Sequence, residues 1–255
     1  MSRRLSRRKL IVGAAALTGT AAAGFLIPAH CSREKFLPPD IRKGLIGASD
    51  VLTMASHRLL LRDQPLAPEF AYTEITRNFP TWGTTEPEDE TYLRLARDGF
   101  KDWRLPVVGL VDRPLSLSME QIRRLPSRTQ ITSHNCEMGW SAIGQWTGVP
   151  LLEVMKLAGA PAEARYVVFQ CVDGWYDSLD MFDVVHPQTL LAYGLNGRDL
   201  PMKHGAPLRL RVERHCGYKS LKFLKSMHVV DSVKEFGRGK GSMVADDDWH
   251  WYAGV

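Results

Sequence analysis

Thr132-Ser-His-Asn-Cys-Glu-Met-Gly-Trp140, followed by Gln145-Trp-Thr-Gly-Val-Pro-Leu151, is the stretch on which the reading of this chain turns. It sets one cysteine, Cys136, in a loop-like sequence between two tryptophan-containing segments. The chain has three other cysteines, Cys31, Cys171 and Cys216. None forms a CxxC pair, a haem-attachment signal or a zinc-finger spacing, and four scattered cysteines do not make a disulfide framework. A Cys171–Cys216 bridge stays open if the domain is exported. A lone cysteine is most often a small buried hydrophobe, so the stretch acquires meaning only beside its neighbours.

Three further segments stand with it. They are Ile75-Thr-Arg-Asn-Phe-Pro80, the run from His186 through Asn196-Gly197 to Lys203-His-Gly-Ala-Pro-Leu-Arg209, and Gly217-Tyr-Lys-Ser-Leu-Lys222. Singly, each has a plain reading. Asn196-Gly197 is a hairpin-turn signal, His204 could cap a loop, and Arg209, Lys219 and Lys222 could be solvated surface charges. In this order and at this spacing the segments resemble the molybdopterin domain of the sulfite oxidase family. The bacterial branch, which includes the catalytic subunit of the periplasmic methionine sulfoxide reductase, is the nearer likeness. The resemblance covers roughly residues 70–235.

The resemblance implies an α+β fold, mixed and mainly β, holding one molybdenum-molybdopterin with Cys136 as the protein ligand to the metal. It implies pterin contacts from Asn78, Thr81 and Trp82, from the position near Cys171, and from His204, Arg209, Ser220, Leu221 and Lys222. The chemistry agrees. A thiolate is a suitable donor to molybdenum and is deprotonated by the cation it binds. Arg209 and Lys222 suit the cofactor's phosphate. Gly205 and Gly217 suit close backbone approach.

The chain also departs from the family. In the animal and plant sulfite oxidases an arginine follows the metal-binding cysteine and helps hold the anionic substrate; here the stretch is Glu137-Met138-Gly139-Trp140. Trp140 and Trp146 would give an aromatic wall, or else pack in the core. Arg77 is the remaining candidate for an anion contact, so Cys136, Arg77 and Trp140 form the expected catalytic set. About twenty residues follow Phe236. The expectation is therefore one catalytic domain, monomeric, without the C-terminal immunoglobulin-like dimerisation domain of that family. Its tail, Asp246–Tyr252, is expected to pack its aromatics back on the domain or to dock a redox partner. A metal cluster of Asp246, Asp247 and His250 is the weaker reading of those residues.

Composition and charge bound the remaining choices. The formal charge of +5 comes from the N-terminus: Arg3, Arg4, Arg7, Arg8 and Lys9 precede the first acidic residue, and outside them 28 basic residues meet 28 acidic ones. No basic stripe points to nucleic acid. Residues 1–31 read as a signal segment in which Ser6-Arg7-Arg8-Lys9-Leu10-Ile11 resembles the twin-arginine motif, and that route carries folded cofactor proteins. Residues 32–69 read as an extended lead-in with one short helix near 41–62, and 70–255 as the oxidoreductase domain. The expected location is periplasmic or otherwise exported, with a possible tether through the N-terminal segment or a lipidated Cys31.

Strand-like runs lie at Leu105–Val111, Arg165–Val172, Leu208–Val212 and Lys225–Val233. Leu-Arg-Leu-Arg-Val, over 208–212, alternates like a half-buried strand. Helical pieces lie at Ser118–Leu125 and Leu151–Leu157. The expected activity is two-electron oxo transfer at a sulfur-type substrate, small or protein-bound. With no haem, dinucleotide or iron–sulfur motif, electrons would pass through a separate cytochrome or a membrane haem or quinone protein. Two rivals remain. One is an exported binding module of the same fold without metal. The other is a hydrolase with Cys136 as nucleophile and His134 or His215 as base, disfavoured by the lack of an oxyanion-hole signature and by reading His134 as facing away from Cys136.

Overall fold

Two five-stranded sheets carry the molecule, and one hydrophobic core lies against both. The computed structural model describes residues 39–252 and 254–255; the signal-like segment, the twin-arginine-like motif and Cys31 lie outside them. The chain divides into two compact units, Met1–Leu45 and Ile46–Val255. Of the first, only the start of helix α1 (Pro39–Leu60) is described. The helix expected near 41–62 is thus present and longer than expected, 22 residues over Pro39–Leu60. No helix among the described residues is long and apolar enough to cross a membrane.

In the second unit, α2 (Glu90–Arg97) leads into the first sheet. That sheet orders its strands β2-β1-β10-β5-β6, namely β1 (Arg104–Gly109), β2 (Leu115–Ser118), β5 (Tyr166–Cys171), β6 (Tyr176–Asp180) and β10 (Leu224–Val230). β1 and β10 are parallel and the other neighbours antiparallel. The second sheet runs β3 (Arg128–Asn135), β4 (Ser141–Pro150), β7 (Leu190–Leu195) and β8 (Arg198–Asp199), with β9 (Arg209–Arg211) paired to β7. α3 (Met119–Arg124) starts at Ser118, whose side chain accepts from Gln121 N while Gln121 returns a bond to the Ser118 backbone. This is the reciprocal capping arrangement that the Ser-Met-Glu-Gln sequence encodes. α4 (Leu151–Ala158) ends at Gly159, in the left-handed conformation that favours glycine. Two one-turn helices, α5 (Met181–Val184) and α6 (Met243–Asp246), complete the set.

Leu105, Val107, Val167, Phe169, Met227 and Val229 of the first sheet share a core with Val149, Leu191 and Leu210 of the second and with Leu208, just before β9. Leu151, Val154 and Met155 of α4 fill the space between. A smaller cluster of Phe79, Ala142, Trp146, Ala192, Leu195 and Leu200 sits on the second sheet, with Trp140 packed against it. This second cluster supports the site.

One strand differs from expectation. Leu208–Val212 is wholly buried, arginines included. Arg211 is buried with Glu213, Ser220 and a backbone carbonyl as partners for its two terminal nitrogens. Hydropathy alternation reads arginine as solvent-facing and cannot register a buried cation with its partners provided. The tail does pack back: Tyr252 is buried against His57 and His215, and Trp251 donates to Ser178 Oγ at 2.9 Å. Asp246, Asp247 and His250 engage Tyr176, Arg238 and Asp50 separately, and no metal-binding group of three occurs among the described residues. Cys136, Cys171 and Cys216 are free thiols, so the Cys171–Cys216 bridge is not formed.

Candidate active site

The Cys136 loop is the turn of the β3–β4 hairpin. Asn135 pairs with Ser141 across it, and Asn135 Oδ1 accepts from Ser133 Oγ at 3.0 Å and Ser141 Oγ at 2.9 Å. Cys136 N donates to Trp140 O at 2.9 Å, and Gly139 N donates to Cys136 O at 3.0 Å. Gly139 turns the chain at φ +87°, where a side chain would be strained. These bonds fix the thiol at one end of a cavity. Cys136 is nearly buried, and Sγ approaches Glu137 Oε2 at 3.6 Å. Burial pushes its thiol pKa up and the Glu137 carboxylate adds to this, against a backbone hydrogen bond from Met138.

The cavity floor comes from β3. Gln130, Thr132 and His134 are buried alternately along the strand, and the same parity leads to Cys136. His134 therefore shares the face of Cys136 and lines the same cavity, which corrects the reading that set it on the opposite side. Residues two apart on a strand point the same way. His134 is held neutral, its pKa lowered to about 2 by burial and then by Arg211, Arg209 and His204.

The opposite wall is cationic. Arg209 of β9 donates to His204 O at 3.0 Å and Ser220 O at 2.6 Å. Lys222 Nζ donates to Trp82 O at 2.8 Å, to Thr84 O and to Lys203 O at 3.5 Å. Thr81 Oγ1 donates to the same Lys203 carbonyl at 2.9 Å. Thus both cations are held by backbone carbonyls, and neither has an ion-pair partner among the described residues. Burial, then the charge of Arg211, lowers the Arg209 pKa to about 9. Burial, then the charge of Arg209, lowers that of Lys222 to about 8. His204 is lowered to about 4, by burial and then by Arg209. A pair of under-neutralised cations at a cavity wall is a receptor for an anion.

Close approach is built in twice. A Cβ on Gly205, at φ +101°, would stand 2.9 Å from Lys222 Cα. One on Gly217 would stand 2.8 Å from His134 Nε2 and 3.2 Å from Glu137 Oε2. The donor set of one thiol, two cations outside any ion pair among the described residues and glycine-opened walls fits a thiolate-ligated metal on a phosphate-bearing pterin.

Of the residues expected at the site, Cys136, Trp140, Thr81, Trp82, His204, Arg209, Ser220, Leu221 and Lys222 all line this cavity. Three expected residues stand elsewhere. Arg77 and Asn78 are exposed and absent from the lining, because Thr76 pairs with Ile143 on β4 and Phe79 is the residue that turns inward. Cys171 is buried at the end of β5 and lines a separate hollow with Trp175, Tyr176 and Phe236. Trp146 is fully buried beneath the floor, with Phe79 edge-on and the guanidinium carbons of Arg209 and Arg211 each 5.1 Å from its ring centroid, so only Trp140 belongs to the wall. Phe79, His134, Glu137, Asp173, Trp175 and Tyr218 also line the cavity and were not among the expected site residues. His134 and Glu137 had a signal in their position beside Cys136, and Phe79 and Tyr218 in lying within the motif segments; Asp173 and Trp175 had none.

The fold and this cavity place the chain among the molybdopterin oxidoreductases: it belongs to the family described as oxidoreductase molybdopterin binding domain, matched over residues 93–236. Within that class its similarities are specific. It is 35% identical over 189 residues to the putative protein-methionine-sulfoxide reductase subunit YedZ1 of Azospira oryzae, covering 74% of this chain and 68% of that protein. It is 33% identical over 174 residues to the protein-methionine-sulfoxide reductase catalytic subunit MsrP of Xanthomonas axonopodis, covering 62% of this chain and 53% of that one. It is 33% identical over 177 residues to the uncharacterized oxidoreductase YuiH of Bacillus subtilis, covering 69% of this chain and 86% of that one. The chain thus spans about half the length of the MsrP relative.

Proposed function

We propose that the protein is an exported molybdenum-molybdopterin oxidoreductase that transfers an oxygen atom to or from sulfur, sulfoxide reduction being the favoured direction. The observation that carries this is the meeting, in one cavity, of a lone thiol (Cys136) with two cations outside any ion pair among the described residues (Arg209 and Lys222). The names of the YedZ1 and MsrP relatives support the sulfoxide direction. The net reaction is sulfoxide plus two electrons and two protons giving thioether and water.

Cys136 would ligate the metal. Arg209 and Lys222 would hold the phosphate, and Thr81, Trp82, His204, Ser220 and Leu221 would line the pterin. When bound, such a cofactor supplies two-electron oxygen-atom exchange at sulfur. Trp140 bounds the substrate side with an apolar face, and Glu137 sets a carboxylate where an anionic substrate would have to approach. The described residues hold no haem motif, so a separate redox protein would supply the electrons. The twin-arginine-like segment supports export after cofactor insertion.

The hydrolase reading fails on geometry: His215 does not line the Cys136 cavity and its Nε2 meets Asp183 at 2.9 Å, which leaves His134 as the base. A base for Cys136 needs a lone pair at the histidine nitrogen facing the thiol. Arg211 Nη1 lies 3.1 Å from His134 Nδ1. An arginine only donates, so Nδ1 holds the lone pair and Nε2, facing the cavity, holds the proton. The test of the proposal is a turnover assay with methionine sulfoxide and a reduced viologen on protein from cells that make molybdopterin. Viologen oxidation lost in Cys136→Ser supports it; turnover surviving that change refutes the site.

A further inference from the structure

His134 is held from beneath the cavity by one bond, from Arg211, and no role in holding the cofactor uses it. Its partner Arg211 is itself held at both terminal nitrogens. Besides His134 Nδ1, Arg211 meets Ser220 Oγ at 3.1 Å, Ser133 O at 2.9 Å and Glu213 Oε2 at 2.5 Å. Glu213 Oε1 in turn accepts from Gln130 Nε2 at 2.6 Å. All of Gln130, Arg211 and Glu213 are buried to 5% exposure or less. Such a network costs much to bury and, once satisfied, holds a single arrangement.

The arrangement has a direction. Guanidinium offers donors only, so the ring nitrogen it meets must accept, and the other nitrogen bears the hydrogen. That nitrogen is Nε2. Glycine at 217 keeps the space beside it open, since a Cβ there would come within 2.8 Å. Phe79 and Trp140 flank the ring at centroid distances of 5.9 and 5.6 Å, fixing its plane. Among the described residues the ring's one hydrogen bond is through Nδ1. A fixed N–H thus faces the cavity, two residues along the strand from Cys136 on the same face.

We propose that His134 presents Nε2–H to the oxygen atom of the substrate's S–O group, in a tautomer that Arg211 fixes as a positioning residue. This rests on the oxo-transfer reading above and adds a residue to it. The chemistry selected is an S–O oxygen that accepts a hydrogen bond. A preoriented donor of this kind loses nothing to reorganisation when charge grows on that oxygen.

Two readouts test it on the cofactor-loaded protein. The first is long-range ¹H–¹⁵N NMR of ¹⁵N-histidine-labelled protein, with the His134 signals assigned by their loss in His134→Gln. The expected pattern is a single Nε2–H tautomer, kept in Arg211→Lys and mixed or inverted in Arg211→Met. An Nδ1–H tautomer in the unsubstituted protein overturns the proposal. The second is viologen-driven reduction of methionine sulfoxide. His134→Leu should lower kcat/KM about 100-fold at unchanged molybdenum and pterin content, while His134→Gln, which keeps an N–H, should recover much of it. Unchanged kcat/KM in His134→Leu, or loss of cofactor in proportion to activity, overturns it. Unsubstituted protein without molybdenum or pterin removes the oxo-transfer reading itself, a result distinct from loaded protein in which His134 does not matter.

Discussion

At the scale of single residues, the chemistry lies in what surrounds each charge. Lys222 is a cation pressed toward neutrality by burial and by Arg209, its pKa lowered to about 8. The sign follows from which state binds more protons. Between about pH 8 and its ordinary value of 10.5, the unfolded chain holds the Lys222 proton and the folded one does not. The contribution of this group to stability therefore rises with pH over that window. Anion binding goes the other way, since it needs the charged form. Inorganic phosphate binding to cofactor-free protein, followed by calorimetry, should weaken as pH rises through about 8, and this dependence should vanish in Lys222→Met. Binding that is flat across that range in the unsubstituted protein would remove Lys222 from the anion site.

At the scale of elements, the sequence was readable where burial follows hydropathy. β1, β5 and β10 lie within apolar runs, and α3 and α4 carry their caps in the sequence. β3 was opaque because its inward face is Gln130, Thr132 and His134, three polar residues that hydropathy assigns to water. β4 was opaque because Gly144 and Gly148 occupy inward positions. A Cβ at Gly148 would strike the Leu191 carbonyl oxygen at 2.3 Å, and one at Gly144 would meet Phe79 at 2.8 Å. The site was legible as a cluster of motifs. Its floor was not, because a partner such as Arg211 is recognisable only after β9 and β3 are brought together. Two substitutions test this account by denaturant unfolding. Trp146→Ala should cost about 3–5 kcal/mol, the range for a large aromatic lost from a full core. Gly205→Ala should cost more than about 1 kcal/mol, because it adds a Cβ at positive φ against Lys222. A change within about 0.5 kcal/mol at either position would mean that the packing beneath the cavity is looser than described.

At the scale of the whole second unit, Asp183 is the point where helix, sheet end and tail meet. Its carboxylate accepts from Arg58 of α1 at 3.0 Å, Arg214 at 2.7 Å and His215 at 2.9 Å. His215 stacks edge-on with Tyr252 of the tail. Burial alone would raise the Asp183 pKa, yet the His215 hydrogen bond and the nearby Arg58 and Arg214 guanidinium groups outweigh it and hold the carboxyl well below its ordinary value of 3.8. A depressed folded value means that this stabilisation is present above about pH 3.8 and is lost as pH falls further. Asp183→Asn should cost about 3–5 kcal/mol at neutral pH by leaving buried cations unpaired, and it should flatten the acid limb of the stability curve. A variant as stable as the unsubstituted protein, with an unchanged acid limb, would show that the tail and helix are held by other means.

All of this serves one claim, that the cavity at Cys136 holds a molybdopterin through its metal. The most direct measurement is molybdenum by elemental analysis and pterin by fluorescence after oxidation, on protein purified from cells that make the cofactor. The account predicts about one of each per chain, with molybdenum lost in a Cys136→Ser variant that remains folded. Folded, unsubstituted protein from such cells carrying neither metal nor pterin would contradict it.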